Sequence, residues 1–290
     1  MSTAEQGYFI PEPSRWPIVA VTGLFLTVLG VTLWVNEVNV GPFMVVLGLA
    51  VVTYLFFGWF GDVIDESMSG KYGAGVDRSF RQGMFWFITS EAFFFVTFFS
   101  CLYYLRNISL TSLGGVGHLA SSNLLWEGFE YAWPLVNLPD ATSYTQIKEV
   151  VGPWGIPLYN TIILLSSGAT LTWAHWGLKK ESQSQLVWGL VFTVALGLIF
   201  FSLQAYEYAH AYSELGLTLN SGVYGSIFYM LTGFHGFHVV LGTIMLIVIL
   251  VRSSKGHFSE KHHFAFEAVA WYWHFVDVVW LGLFIFVYWM

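Results

Sequence analysis

Long apolar runs recur along the chain, each closed by a short polar or glycine-rich stretch. Seven of them are long enough to cross a membrane as helices: residues 16–36, 42–60, 81–105, 157–178, 186–207, 223–251 and 264–290. The pattern predicts an all-α membrane protein with seven transmembrane helices, so its two termini lie on opposite faces. The third run is interrupted by one carboxylate. Glu91 stands ten residues beyond Arg81, roughly 15 Å along a helix, and therefore near the midplane of a hydrocarbon core about 30 Å thick. Phe93, Phe94, Phe95 and Phe98 surround it in sequence. An ionisable side chain at that depth is costly and is a functional candidate.

Composition agrees with the pattern. Only 10% of residues are charged and 56% are hydrophobic, whereas a soluble domain carries about 25% charged residues. Most of this surface is therefore expected to face lipid. The net charge of −7 gives no reason to expect nucleic acid as a partner. The single cysteine, Cys101, excludes a disulfide framework and a cysteine zinc site. Residues 1–15 are polar and contain proline, without the order of a signal peptide, so no cleavage is expected.

Lysine and arginine set the orientation. With the N-terminus inside, Arg15, Lys71, Arg78, Arg81, Lys179, Lys180, Arg252, Lys255 and Lys261 fall on the inner side. Only Arg106 and Lys148 fall outside, and the positive-inside rule favours that topology. The C-terminus is then outside. One long outer connection, about residues 106–156, is rich in Gly, Trp and Pro, and its apolar stretch 126–134 is expected to dock rather than float.

Metal chemistry has several candidate residues. His235 and His238 are spaced i, i+3, and His274 lies at similar depth on the last run. They would serve either as a haem-binding pair or as hydrogen bonds joining helices. Glu207 and His210 have the Glu-x-x-His spacing of di-iron bundles, but the second copy on another helix that such a site needs is missing. His257, His262 and His263 resemble a histidine box without matching boxes elsewhere. The chain has no Cys-x-x-Cys-His, Gly-x-Ser-x-Gly or P-loop spacing. Gly233, Gly236, Gly242 and the small residues 166–170 read as helix-packing positions. Glu267, His274 and Asp277, at offsets of seven and three, share one helix face. They predict a buried polar network, with a proton path as the sharper alternative. Arg252, Lys255, His257, His262 and His263 gather at the inner ends of the last two runs, where a basic pocket can hold an anionic lipid head group. Trp59, with Asp62 and Glu66, closes the second run at the same interface.

Several longer motifs carry a resemblance. Trp271-Tyr-Trp-His274-Phe-Val-Asp277-Val-Val-Trp280, preceded by His262-His263-Phe-Ala-Phe-Glu267, resembles the signature of cytochrome c oxidase subunit III. Gly222-Val-Tyr-Gly225-Ser, Thr232-Gly-Phe-His235-Gly-Phe-His238, Gln204-Ala-Tyr-Glu207-Tyr, Thr172-Trp-Ala-His175 and Arg81-Gln-Gly-Met84 running to Glu91 agree with it. The likeness extends over nearly the whole chain, residues 16–289.

The resemblance implies an accessory, non-catalytic subunit of an aa3-type oxidase, with no metal ligand set of its own. Haem a and copper would belong to partner subunits I and II, and cytochrome c would reach the complex as donor. The chain would steady subunit I, hold phospholipid and support proton uptake. The implied fold is one membrane domain with a two-helix bundle (about 1–66) and a five-helix bundle (about 78–290), separated by a V-shaped lipid cleft. Glu91 matches the family glutamate beside the neighbour's proton route. Trp59, Glu66 and Glu91 match cleft-lining positions, and Arg252 and His257 match lipid contacts. Family arginines near the end of helix two are replaced by Gly61 and Asp65, and a histidine pair by Lys71 and Tyr72. Weaker head-group contacts are expected there. The alternatives are a quinol-oxidase subunit III, a membrane metallo-oxidase or a transporter. A quinol-oxidase relative would typically lack the first two helices. The polar N-terminus and long outer loop favour a bacterial cytoplasmic membrane over a mitochondrial inner one.

Overall fold

The computed structural model describes residues 8–114, 129, 132–138 and 142–289. Among them are seven long helices and no strand: α1 (Trp16–Val35), α2 (Gly41–Met68), α3 (Ala74–Tyr104), α4 (Ile156–Lys179), α5 (Gln183–Ser213), α6 (Gly222–Ser254) and α7 (Phe264–Leu283). α3 continues through a π-helical turn, Leu105–Ser109, into the short helix Leu110–Leu113. α7 continues as a π-helical turn, Phe284–Trp289. Six of the seven are long and apolar enough to cross a membrane. The other is α4, and its polar residues face inward: Asn160, Thr161 and Ser167 are buried.

Several helices outrun their apolar segments. α2 continues past Phe60 to Met68 and carries Asp62, Asp65 and Glu66 on its last turns; α5 extends to Ser213. Hydropathy marks where a helix leaves hydrocarbon. The backbone ladder goes on until a cap ends it. At α2, α4 and α6 that cap has one form, a left-handed residue after the last turn with two backward hydrogen bonds. After α6 the Gly256 N–H bonds Ser253 O and the His257 N–H bonds Arg252 O, with Gly256 at φ 70°. After α4 the left-handed position is filled by Glu181 at φ 56°.

The chain divides into two compact units, Met1–Gln82 and Gly83–Met290. In the first, α1 and α2 pack through glycines. A Cβ on Gly30 would lie 2.6 Å from the Val45 backbone nitrogen, so no larger residue fits. The Trp16 indole N–H donates to Asp62 Oδ2 at 2.6 Å, and its ring occupies the space beside Gly58.

In the second unit α4, α5, α6 and α7 surround a core of Trp273, Trp280, Phe200, Phe228 and Phe266, all almost wholly buried. Polar side chains tie the helices at fixed heights. Trp273 Nε1 donates to Ser167 Oγ at 2.8 Å, Trp280 Nε1 to Thr161 Oγ1 at 2.9 Å, and Thr170 and Thr193 share a hydrogen bond of 2.8 Å. Two of the inward polar residues of α4, Thr161 and Ser167, are partners in these bonds.

Part of the connection between α3 and α4 lies on the α5–α6 turn. Lys148 N donates to Leu215 O at 2.9 Å, Asn220 Nδ2 to Ser143 O at 2.9 Å, and the Trp133 ring meets Tyr224 edge-on at 5.7 Å. Of the stretch expected to dock, residues 126–128, 130 and 131 lie outside the described residues.

Candidate functional site

Glu91 is not a lone carboxylate among phenylalanines. Its Oε2 lies 3.0 Å from Nε2 of His238, across from α3 to α6. His238 Nδ1 is 2.6 Å from the Phe234 carbonyl. A carbonyl can only accept, so Nδ1 carries a proton. Nε2 and Glu91 Oε2 must then share one proton: either a carboxylic acid donates to a neutral imidazole, or an imidazolium donates to a carboxylate. Both arrangements have zero net charge, which lowers the cost of placing two ionisable groups in a membrane helix. Aromatic rings hold the imidazole, with Phe95 at 5.0 Å edge-on and Tyr272 stacked at 6.2 Å. The Glu91 side chain keeps 24% of its surface open, against 9% for His238.

The other sequence candidates fall into separate groups. His235 is fully buried, and its Nε2–H donates to the Val276 carbonyl at 3.2 Å, joining α6 to α7. It packs against Phe200 and Trp280. The face of α7 carrying Glu267, His274 and Asp277 looks onto α4. Asp277 Oδ2 fills the space beside Gly168 and lies 3.5 Å from His274 Nδ1; His274 Nε2 is 3.5 Å from Thr172 Oγ1. Two turns before His274, Glu267 Oε1 is 3.3 Å from His263 Nε2 and 3.8 Å from His175 Nε2.

Arg252 and His257 are brought together by the turn at Gly256. The Arg252 guanidinium lies 4.6 Å over the Phe258 ring. Arg252 Nε and His257 Nδ1 are buried and have no hydrogen-bond partner among the described residues. Two nitrogens left unsatisfied beside the basic end of α6 are suited to an anionic group. In the first unit, Trp59 is half exposed and stacks along Phe60 at 6.2 Å. Tyr72 donates to Glu66 Oε2 at 2.7 Å. Burial, then that hydrogen bond, pushes the Tyr72 phenol above its ordinary range. Lys71 lies 5.7 Å over the Phe9 ring. Lys71 and Tyr72 are thus both engaged within the chain.

Two groups escaped the sequence reading. Glu207 on α5 accepts from Tyr288 at 2.7 Å and from Gln204 at 3.2 Å in a buried cluster toward the C-terminal end of that helix. His175, His263 and Glu267 bring their donor atoms within 4.8 Å of one another. Spacing showed the local pairs Gln204–Glu207 and His263–Glu267 but not the members that join them from elsewhere in the chain, Tyr288 and His175.

Comparison with known proteins gives one family. The model of cytochrome c oxidase subunit III matches residues 6–120 and 118–290. A Drosophila yakuba protein named cytochrome c oxidase subunit 3 is 40% identical over 291 residues, covering 100% of this chain and 99% of its own length. Proteins of that name from Marchantia polymorpha and Latimeria chalumnae are each 39% identical, covering 100% of this chain and 98% and 99% of their own lengths.

Proposed function

The chain belongs to the cytochrome c oxidase subunit III family and is thus a component of a respiratory oxidoreductase; on that premise we propose that it is the accessory subunit of an aa3-type complex, in which Glu91 and His238 support proton uptake. Haem a and copper are held by partner subunits I and II, and this chain steadies subunit I. Cytochrome c rather than quinol is the donor, a reading supported by the names of the relatives and by the presence of α1 and α2. The N-terminus faces the inner side and the C-terminus the outer. Helices α1–α2 form one bundle and α3–α7 the other. The membrane is the bacterial cytoplasmic one, with the mitochondrial inner membrane as the alternative; fractionation of the source cells separates them.

The observation that carries the proton role is the one-proton couple. A carboxyl and an imidazole 3.0 Å apart can accept a second proton or release the one they share, and Glu91 is the partly open member. That combination suits a local proton reservoir better than a static tie. Lipid retention is assigned to Trp59 and Glu66 on the first unit, and to Glu91, Arg252 and His257 on the second. The unsatisfied nitrogens of Arg252 and His257 are its main support.

Purified oxidase complexes test both parts. Glu91→Gln should slow proton uptake several-fold while haem and copper content stay at wild-type levels; unchanged uptake would remove the proton role. Arg252→Ala should lower the phospholipid that co-purifies, and an unchanged lipid stoichiometry would count against that contact.

A further inference from the structure

Where α4 ends and α7 begins, three donor side chains converge that the oxidase reading leaves without a task. His175 is one turn from the end of α4, His263 immediately precedes α7, and Glu267 lies in the first turn of α7. The two imidazole rings meet edge-on at 5.6 Å. His263 Nδ1 donates to the Ser259 carbonyl at 3.0 Å, so in the neutral ring Nε2 is the lone-pair nitrogen. A backbone carbonyl on the far nitrogen is how proteins orient an imidazole toward a metal. Nε2 of His175 and Nε2 of His263 are both buried, and neither has a hydrogen-bond partner among the described residues. Two buried nitrogens in deficit, aimed at one carboxylate oxygen, call for a ligand that all three can share.

We propose that His175, His263 and Glu267 form a binding site for a divalent transition metal, with Zn2+ as the ion that fits best. Two imidazoles and one carboxylate are borderline donors that suit zinc. Calcium and magnesium would need a larger set of oxygen ligands. In a tetrahedral site with bonds of about 2.0–2.1 Å, donor atoms stand about 3.3–3.4 Å apart. His263 Nε2 and Glu267 Oε1 already have that spacing at 3.3 Å, and His175 Nε2 to Glu267 Oε1 is 3.8 Å. The fourth position is left for water. Lys179, one turn beyond His175, is exposed, so its opposing charge is screened by solvent. The ion is redox-inert and clamps the end of α4 to the start of α7. Its binding does not depend on the proposed proton role.

Equilibrium dialysis of the intact complex against radioactive zinc, after mild chelation, tests the assignment. Wild type should bind one zinc equivalent more than His263→Gln or Glu267→Gln. Equal zinc in all three, meaning adventitious surface zinc only, would overturn it. Should the variants fail to assemble, diethylpyrocarbonate labelling of the wild-type complex still decides. With zinc at about ten times its Kd, labelling of His175 and His263 should fall about tenfold. Labelling of exposed His210 should stay unchanged. Equal labelling of His175 and His263 with and without zinc would refute the site.

Discussion

The seam between α4 and α5 and the seam that holds α3 are built by opposite means. α4 and α5 meet through Gly177, Gly189, Ala174 and the Thr170–Thr193 bond, and their backbones come close together. α3 reaches α6 and α7 through rings: Phe94 on Phe234 at 5.1 Å, Phe95 on Phe275 at 6.0 Å, and Phe99 on Phe286 at 5.9 Å. The first seam has room only for backbone and small side chains. The second is wide enough to hold an imidazole and a carboxyl among its rings. Small residues give the bundle its rigidity, and bulky ones make space for its ionisable pair.

Substitutions can break or sharpen that contrast. The largest effect is expected from Phe95→Ala, because Phe95 is 2% exposed and packs on both His238 and Phe275. A loss of about 3–5 kcal/mol is expected from the cavity, read as a fall in the unfolding midpoint of the purified complex in detergent. Gly189→Ala should cost less, about 1–3 kcal/mol. The new Cβ would lie 2.7 Å from the Ala174 Cβ and 2.9 Å from its Cα, where backbone must shift. Gly236→Ala is its control, since a Cβ there meets nothing within 4 Å. If both alanine variants melt together, the close-seam account fails. The smallest effect belongs to the turn that joins α4 to α5. Glu181→Gly should raise stability by about 0.5 kcal/mol, relieving a left-handed non-glycine residue. A lower midpoint would mean that the Glu181 side chain matters more than its backbone.

Much of the fold was legible in the apolar runs, because bilayer thickness dictates their length. All seven became helices. Their ends were less legible: Asp62, Asp65 and Glu66 stop the apolar run of α2 without stopping its hydrogen-bond ladder. α4 shows a different limit. Its small residues 166–170 were read as packing positions, and the structure adds a partner there, with Ser167 accepting from Trp273, and one outside that stretch, with Thr161 accepting from Trp280. The site was legible only as separate residues. Glu91 stood out by its depth and His238 by its place in a motif, yet 147 positions separate them, and no periodicity within one helix reports a contact between two. The same limit hid His175 from His263 and Glu267. Arg252 and His257, by contrast, were grouped from the start because they lie near one another in sequence.

The shared proton of Glu91 and His238 also has an electrical consequence. A transmembrane voltage acts on net charge, at about 2.3 kcal/mol per elementary charge for 100 mV across the full thickness. With one proton between them the pair is neutral, so a changing membrane potential exerts almost no force on it. At the mid-depth expected of Glu91, a full charge on the pair would be worth roughly half that figure at the same voltage. On the proposed proton role, the couple would be silent to voltage at rest and sensitive to it only while a proton is in transit.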